Sequence, residues 1–178
     1  AIINRPSAPV KESLDALDIV DASEPDPDAR PAEFIIEGYL VEGGGSILFG
    51  LPGRGKSQFA LYLAIAVDAG VAGVAKVRQR RVLYINLERS KSSMQSRTAR
   101  LNVCLGLDSH RPLRFVHARG QGLATILRRI KKAVKDHGVE VVVLDSISRG
   151  GFGDLNANQV GNAWIDAIGF RRVLYLLI

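Results

Sequence analysis

The chain has 178 residues, 47% apolar and 24% charged, the proportions of a globular domain with a real core, which excludes disordered and collagen-like classes. One cysteine, Cys104, and three scattered histidines, His110, His117 and His137, exclude a disulfide framework and a multi-ligand Cys/His zinc site. The net charge of +6 is uneven: residues 1–28 carry two bases and seven acids, a net of −5, which leaves 22 bases and 11 acids, a net of +11, on the rest.

The first 14 residues, AIINRPSAPVKESL, show neither an apolar signal core nor an Arg-rich, acid-poor transit pattern, so the expected setting is cytoplasmic. Ser23 to Pro31, SEPDPDARP, combines three prolines with acids and reads as a linker, so residues 1–31 form an acidic N-terminal extension and residues 32–178 the core. Within the core, Ser46 to Phe49 reads as a short buried strand and Lys56 to Ala69 as an amphipathic helix. The run Phe59 to Val67, stopped by Asp68, is the longest apolar stretch and falls short of the roughly 20 residues of a membrane-spanning helix. Arg81 to Leu87 follows as a strand, Ser92 to Leu105 as a helix, Leu113 to Val116 as a weaker strand, Leu123 to His137 as a helix and Val139 to Leu144 as a β-branched, continuous strand. Trp164 and Ile168 fall four apart in a further expected helix, and Arg171 to Ile178, RRVLYLLI, reads as one more buried strand. Alternating strands and helices predict an α/β fold with a mostly parallel sheet flanked by helices on both faces. Because the last strand stops without a turn or a following element, the expectation is that the core is incomplete at its C-terminus.

The segment Gly50-Leu51-Pro52-Gly53-Arg54-Gly55-Lys56-Ser57 matches G-x-x-x-x-G-K-[ST] at every fixed position, after an apolar strand and at the start of a helix. The chemistry explains the residue types. Glycines let backbone N–H groups turn inward around phosphates, the helix N-terminus adds its dipole, and Lys56 supplies a cation to the β/γ oxygens while Ser57 offers a hydroxyl to Mg²⁺. The expected nucleotide contacts are Gly50, Pro52, Gly53, Arg54, Gly55, Lys56, Ser57 and Gln58.

Val141 to Asp145 is an apolar strand ending in a carboxylate, the arrangement that holds a metal's water shell in P-loop NTPases, which makes Asp145 the metal-side acid beside Ser57. Val82 to Glu88 ends the same way, and Glu88 is the candidate base for an attacking water. A surface glutamate paired with Arg89 or Lys91 is the plainer alternative for Glu88.

In the order GLPGRGKS, LYINLERS and VVVLDS, the chain resembles the RecA-like P-loop ATPases, and within them the branch of the plasmid hexameric helicase RepA with its phage and prophage relatives. The likeness runs from about Glu33 to Asp154 and takes in the lead-in IIEGYLVEGGGSILFG and the helix residues Arg97 and Arg100. It implies ATP hydrolysis by Lys56, Ser57, Glu88 and Asp145 in a homo-oligomeric ring, a hexamer, acting on single-stranded DNA in plasmid, phage or mobile-element replication. In that family the strand matching Val173 to Ile178 leads to a polar sensor.

Two basic clusters remain. Lys76 to Arg81, KVRQRR, reads mainly as a solvated connection, and Leu123 to His137 turns Arg128, Arg129, Lys131, Lys132 and Lys135 outward. Between them, the connection is expected to matter more for nucleic acid, since it lies between the phosphate-loop helix and the Glu88 strand. Arg149 to Asp154 is a glycine-rich turn suited to a mobile loop, with Asp154 and Asn156 as alternative turn formers. A nucleotide-gated assembly ATPase without helicase activity is the alternative function, and a P-loop kinase the third.

Overall fold

The computed structural model describes residues 23, 30–48, 50–121, 123–146 and 174–177. The expected Gly-rich turn 149–153, Asp154, Asn156, Trp164 and Ile168 lie outside them, as does nearly all of the N-terminal extension. The chain divides into two compact units, Ala1–Pro31 and Ala32–Ile178.

The second unit opens with an antiparallel hairpin, β1 (Phe34–Ile36) and β2 (Leu40–Val41). A five-stranded parallel sheet follows, built from β3 (Gly45–Ile47), β4 (Val82–Asn86), β5 (Arg114–His117), β6 (Val141–Asp145) and β7 (Leu174–Leu177) in the order β3-β7-β6-β4-β5. Three helices connect them: α1 (Lys56–Ala69), α2 (Lys91–Cys104) and α3 (Leu123–His137). The placement of the helices follows from strand order. The chain moves in one direction across the sheet from β3 to β4 and on to β5, then turns back to β6, so right-handed crossovers put α1 and α2 on one face and α3 on the other. The two cores agree: Val82, Tyr84, Val141 and Val143 pack with α1 and α2, while Leu83, Ile85, Val142 and Leu144 pack with Ile126, Ile130 and Val134 of α3. The described residues thus form an α/β architecture, a parallel sheet with helices on both faces.

Two expectations need correction. The strand before the phosphate loop is Gly45–Ile47 and is not buried, Ile47 being 37% exposed, while Phe49 lies outside the described residues. The helix α1 is not amphipathic, since Ala60, Leu61, Leu63, Ala64, Ile65, Ala66 and Val67 are all buried. Besides the sheet it meets α2 and the hairpin residues Ile35, Ile36 and Leu40, so an apolar surface nearly all round has partners on every side. The strand near the chain's end is Leu174–Leu177, and it lies between β3 and β6.

Asp68, at the end of α1, ties the bottom of this core together. Its carboxylate accepts from the Val82 amide at 3.1 Å and from Arg111 Nη2 at 2.7 Å, and Arg114 Nη1 lies 3.6 Å away. The Asp68 side chain is only 7% exposed, so Asp68→Ala strands a buried amide and leaves two cations facing a void. The expected loss of stability is about 3 kcal/mol, to be read from urea unfolding of both chains. A loss below about 0.5 kcal/mol would show that solvent replaces the carboxylate at no cost.

Candidate functional site

The loop from Gly50 to Gly55 joins β3 to α1 at the C-terminal edge of the sheet, where open α/β sheets bind ligands. Gly53 (φ 76°) and Gly55 (φ 82°) hold left-handed backbone, which a side chain at either position would strain. Gly55 is also the N-cap of α1, whose first turn holds no acid and takes no side-chain cap, so its leading N–H groups are left for an incoming anion. Pro52, Gly53, Arg54 and Gly55 are exposed. Lys56 folds back over the loop and donates from Nζ to the carbonyls of Gly50 at 2.7 Å and Leu51 at 3.0 Å. Gln58 Oε1 accepts from Arg97 Nη1 at 3.1 Å, which fastens α2 to the start of α1, whereas Arg100 points to solvent.

The parallel neighbours β4 and β6 deliver two carboxylates to the same edge. Asn86 and Asp145 are register partners at the strand ends, and Glu88 follows two residues past Asn86. Asp145 is buried, and its two oxygens are separately engaged: Oδ1 accepts from Ser57 Oγ at 2.8 Å and Oδ2 from Tyr84 Oη at 2.8 Å. Burial raises the Asp145 pKa above the usual carboxylate range, and the charge of Glu88 adds to that; the hydrogen bonds from Tyr84 and Ser57 and the charge of Arg89 act the other way. The Tyr84 phenol is in turn pushed well above its ordinary pKa, mainly by burial and then by the Asp145 charge, so it stays a donor. Glu88 Oε1 accepts from Ser146 Oγ at 2.5 Å, so the residue after Asp145 holds the second acid in place. Ser57, Asp145, Ser146 and Glu88 therefore form one connected group beside the loop.

Two residues that support this group, Tyr84 and Asn86, carry no functional reading in the sequence. Tyr84 is fully buried on β4, and a buried phenol needs an acceptor, which was its only signal in the run VLYIN. Asn86 is fully buried as well, and its Oδ1 accepts from the amides of Arg89 at 2.9 Å and Glu88 at 3.3 Å while its Nδ2 donates to the Arg89 carbonyl at 2.7 Å. A polar side chain closing its own loop in this way sets the exit path of the chain and so the position of Glu88.

The donor set suits a hard cation. Ser57 Oγ and Asp145 Oδ1 are adjacent oxygens, and Mg²⁺ is typically bound by one or two protein oxygens together with waters and substrate phosphates. No cluster of three or more His, Cys, Asp or Glu occurs among the described residues. A cavity of about 590 Å³ lies elsewhere, between α2 and the edge strand β5, lined by Lys91, Gln95, His110, Arg111, Phe115 and His117. No phosphate-loop residue lines it.

Tyr84→Phe tests the support given to Asp145. The change leaves a buried carboxylate oxygen without its donor, which costs about 1–3 kcal/mol in thermal unfolding. ATP turnover at limiting Mg²⁺ is expected to fall about tenfold and to recover in part at high Mg²⁺; unchanged turnover at every Mg²⁺ concentration would remove Tyr84 from the site.

No helix among the described residues is long and apolar enough to cross a membrane. A family model described as an AAA domain matches residues 10–171. No curated protein matches the chain.

Proposed function

The chain belongs to the AAA domain family and is a P-loop ATPase, and on that premise we propose that it hydrolyses MgATP at the loop Gly50–Ser57, with Glu88 and Asp145 as its working acids. The observation that carries this reading is the pair of hydrogen bonds from Ser57 to Asp145 and from Ser146 to Glu88, which gathers the phosphate loop and both strand-end carboxylates at one edge.

The amides around Gly53 and Gly55 and the N-terminus of α1 hold the phosphates, with Pro52 and Arg54 shaping the loop and Gln58 its first helical turn. Lys56 exchanges its two loop carbonyls for phosphate oxygens, a better partner for an ammonium because charge meets charge. Ser57 and Asp145 would hold Mg²⁺, which when bound neutralises charge on the β/γ oxygens. Glu88 orients a water in line with the γ-phosphorus and accepts its proton as the new P–O bond forms; the bond to the β–γ bridging oxygen breaks and ADP leaves with that electron pair. Asn86 and Ser146 keep Glu88 in place through this step.

The wider reading is a RecA-like ATPase of the RepA helicase branch, a ring of identical subunits that couples hydrolysis to movement along single-stranded DNA during plasmid, phage or mobile-element replication, in the cytoplasm. In support, the phosphate loop is an open rim: Leu51 is 68% exposed and the four residues after it are exposed, so a neighbouring subunit has room to cover the nucleotide. Phosphate release with and without single-stranded DNA, on protein sized by light scattering, tests it. At least a fivefold stimulation in an oligomer supports the translocating ring; an oligomer whose turnover ignores DNA fits a nucleotide-gated assembly ATPase.

A further inference from the structure

The two basic clusters differ in what faces them. In the connection after α1, Lys76 Nζ lies 3.8 Å from Glu37, Arg78 Nη1 2.5 Å from Glu33, and Arg80 is paired with Glu42 at 2.8 Å and Glu140 at 3.6 Å. Three of its four cations are thus matched by carboxylates, most of them from the hairpin β1–β2 and its flanks. A paired cation has less field left for a polyanion, which weighs against the connection as the stronger site.

The outer face of α3 is not matched in this way. Its apolar positions Ile126, Ile130 and Val134 are buried against the sheet, which turns Arg128, Arg129, Lys132 and Lys135 fully outward and leaves Lys131 half-exposed. The helix holds five bases and one acid, Asp136, which is taken by Lys132 at 2.5 Å. Arg129 donates to the neutral Gln121, and no carboxylate among the described residues lies within ion-pair distance of Arg128, Arg129, Lys131 or Lys135. From Arg128 to Lys135 the row runs about 10 Å along the helix axis.

We propose that this face of α3 is a docking surface for the phosphate backbone of duplex nucleic acid, separate from the nucleotide site. Charge complementarity selects a polyanion, and duplex DNA presents a phosphate about every 1.7 Å of axis, so a rigid row of this length meets several at once. Single-strand binders combine their cations with aromatic side chains that stack on bases, and α3 contains no Phe, Tyr or Trp and only the terminal His137, so its face is suited to backbone charge. An acidic protein segment would be met by the same charges, and it enters the test as the competing occupant.

The experiment is fluorescence anisotropy of a labelled mixed-sequence DNA duplex with the full chain, without nucleotide, over a series of KCl concentrations. Replacing Arg128, Arg129, Lys131 and Lys135 together by Gln should weaken duplex binding at least tenfold at low salt and lower the log–log salt slope by about 3. ATP turnover without DNA and the thermal unfolding midpoint should stay at wild-type values, since α3 gives no residue to the nucleotide site. Arg128→Lys with Arg129→Lys should bind within about twofold of wild type, because charge and not guanidinium geometry is being read. So should Arg78→Gln with Arg80→Gln. A four-fold Gln variant that binds duplex like wild type, a wild-type chain with no salt-dependent duplex affinity, or a face that holds poly-glutamate and is not displaced by duplex would each overturn the proposal. Since the anisotropy is read without ATP, the binding outcomes are independent of whether the phosphate loop hydrolyses it.

Discussion

The Lys56→Ala chain is expected to release phosphate from ATP at least about a hundredfold more slowly than wild type. The ammonium already sits over the loop, bonded to the carbonyls of Gly50 and Leu51, so it is positioned before any nucleotide arrives. Phosphate oxygens gain negative charge as the terminal bond breaks, and a fixed cation favours that state over the bound substrate. Deleting it also leaves the carbonyls of Gly50 and Leu51 without the donor they share. Steady-state assays on purified protein measure the effect, with circular dichroism to confirm the fold. Turnover within twofold of wild type would take Lys56 out of the mechanism, and the phosphate-loop argument with it.

Glu88→Gln should separate binding from chemistry. The amide keeps the size of the carboxylate, and its oxygen can still accept from Ser146 Oγ, so the site keeps its shape. What it loses is the ability to take a proton from water, an effect of about 10² to 10⁴ in rate. The variant should therefore bind a fluorescent ATP analogue with wild-type affinity and accumulate unhydrolysed ATP in single-turnover experiments. Normal hydrolysis by Glu88→Gln, alongside loss in Asp145→Asn, would place the water-activating group elsewhere.

Local signals made much of this fold legible before any coordinates. Lys56–Ala69 and Leu123–His137 coincide with their expected bounds because glycines flank α1 and a regular apolar spacing marks α3. Among the described residues, the other helix and the longer strands shift by a residue or two at their ends, where fraying and capping decide. The hairpin was not legible, since strands of three and two residues carry no period. Nor was the place of Leu174–Leu177 inside the sheet, because buried parallel strands share one apolar signature whatever their order.

The candidate site divides along the same line. Glycine spacing and strand-end acids are local patterns, and they pointed to Ser57, Glu88 and Asp145. Tyr84 and Asn86 act through partners 61 and three residues away, and only folding reveals whom a buried polar group meets. The pairing of Arg78 with Glu33 and of Arg80 with Glu42 spans 45 and 38 residues, so charge counted along the chain does not reveal which basic cluster is matched by acids.

Phosphate release from ATP by the full chain, measured with Mg²⁺ and again after EDTA, bears most directly on the claim that Gly50–Ser57, Glu88 and Asp145 form a hydrolytic site. ADP and inorganic phosphate are expected in equal amounts with Mg²⁺ present and not at all once it is chelated. ATP left intact in the presence of Mg²⁺, under conditions where the chain binds it, would take hydrolysis away from this site.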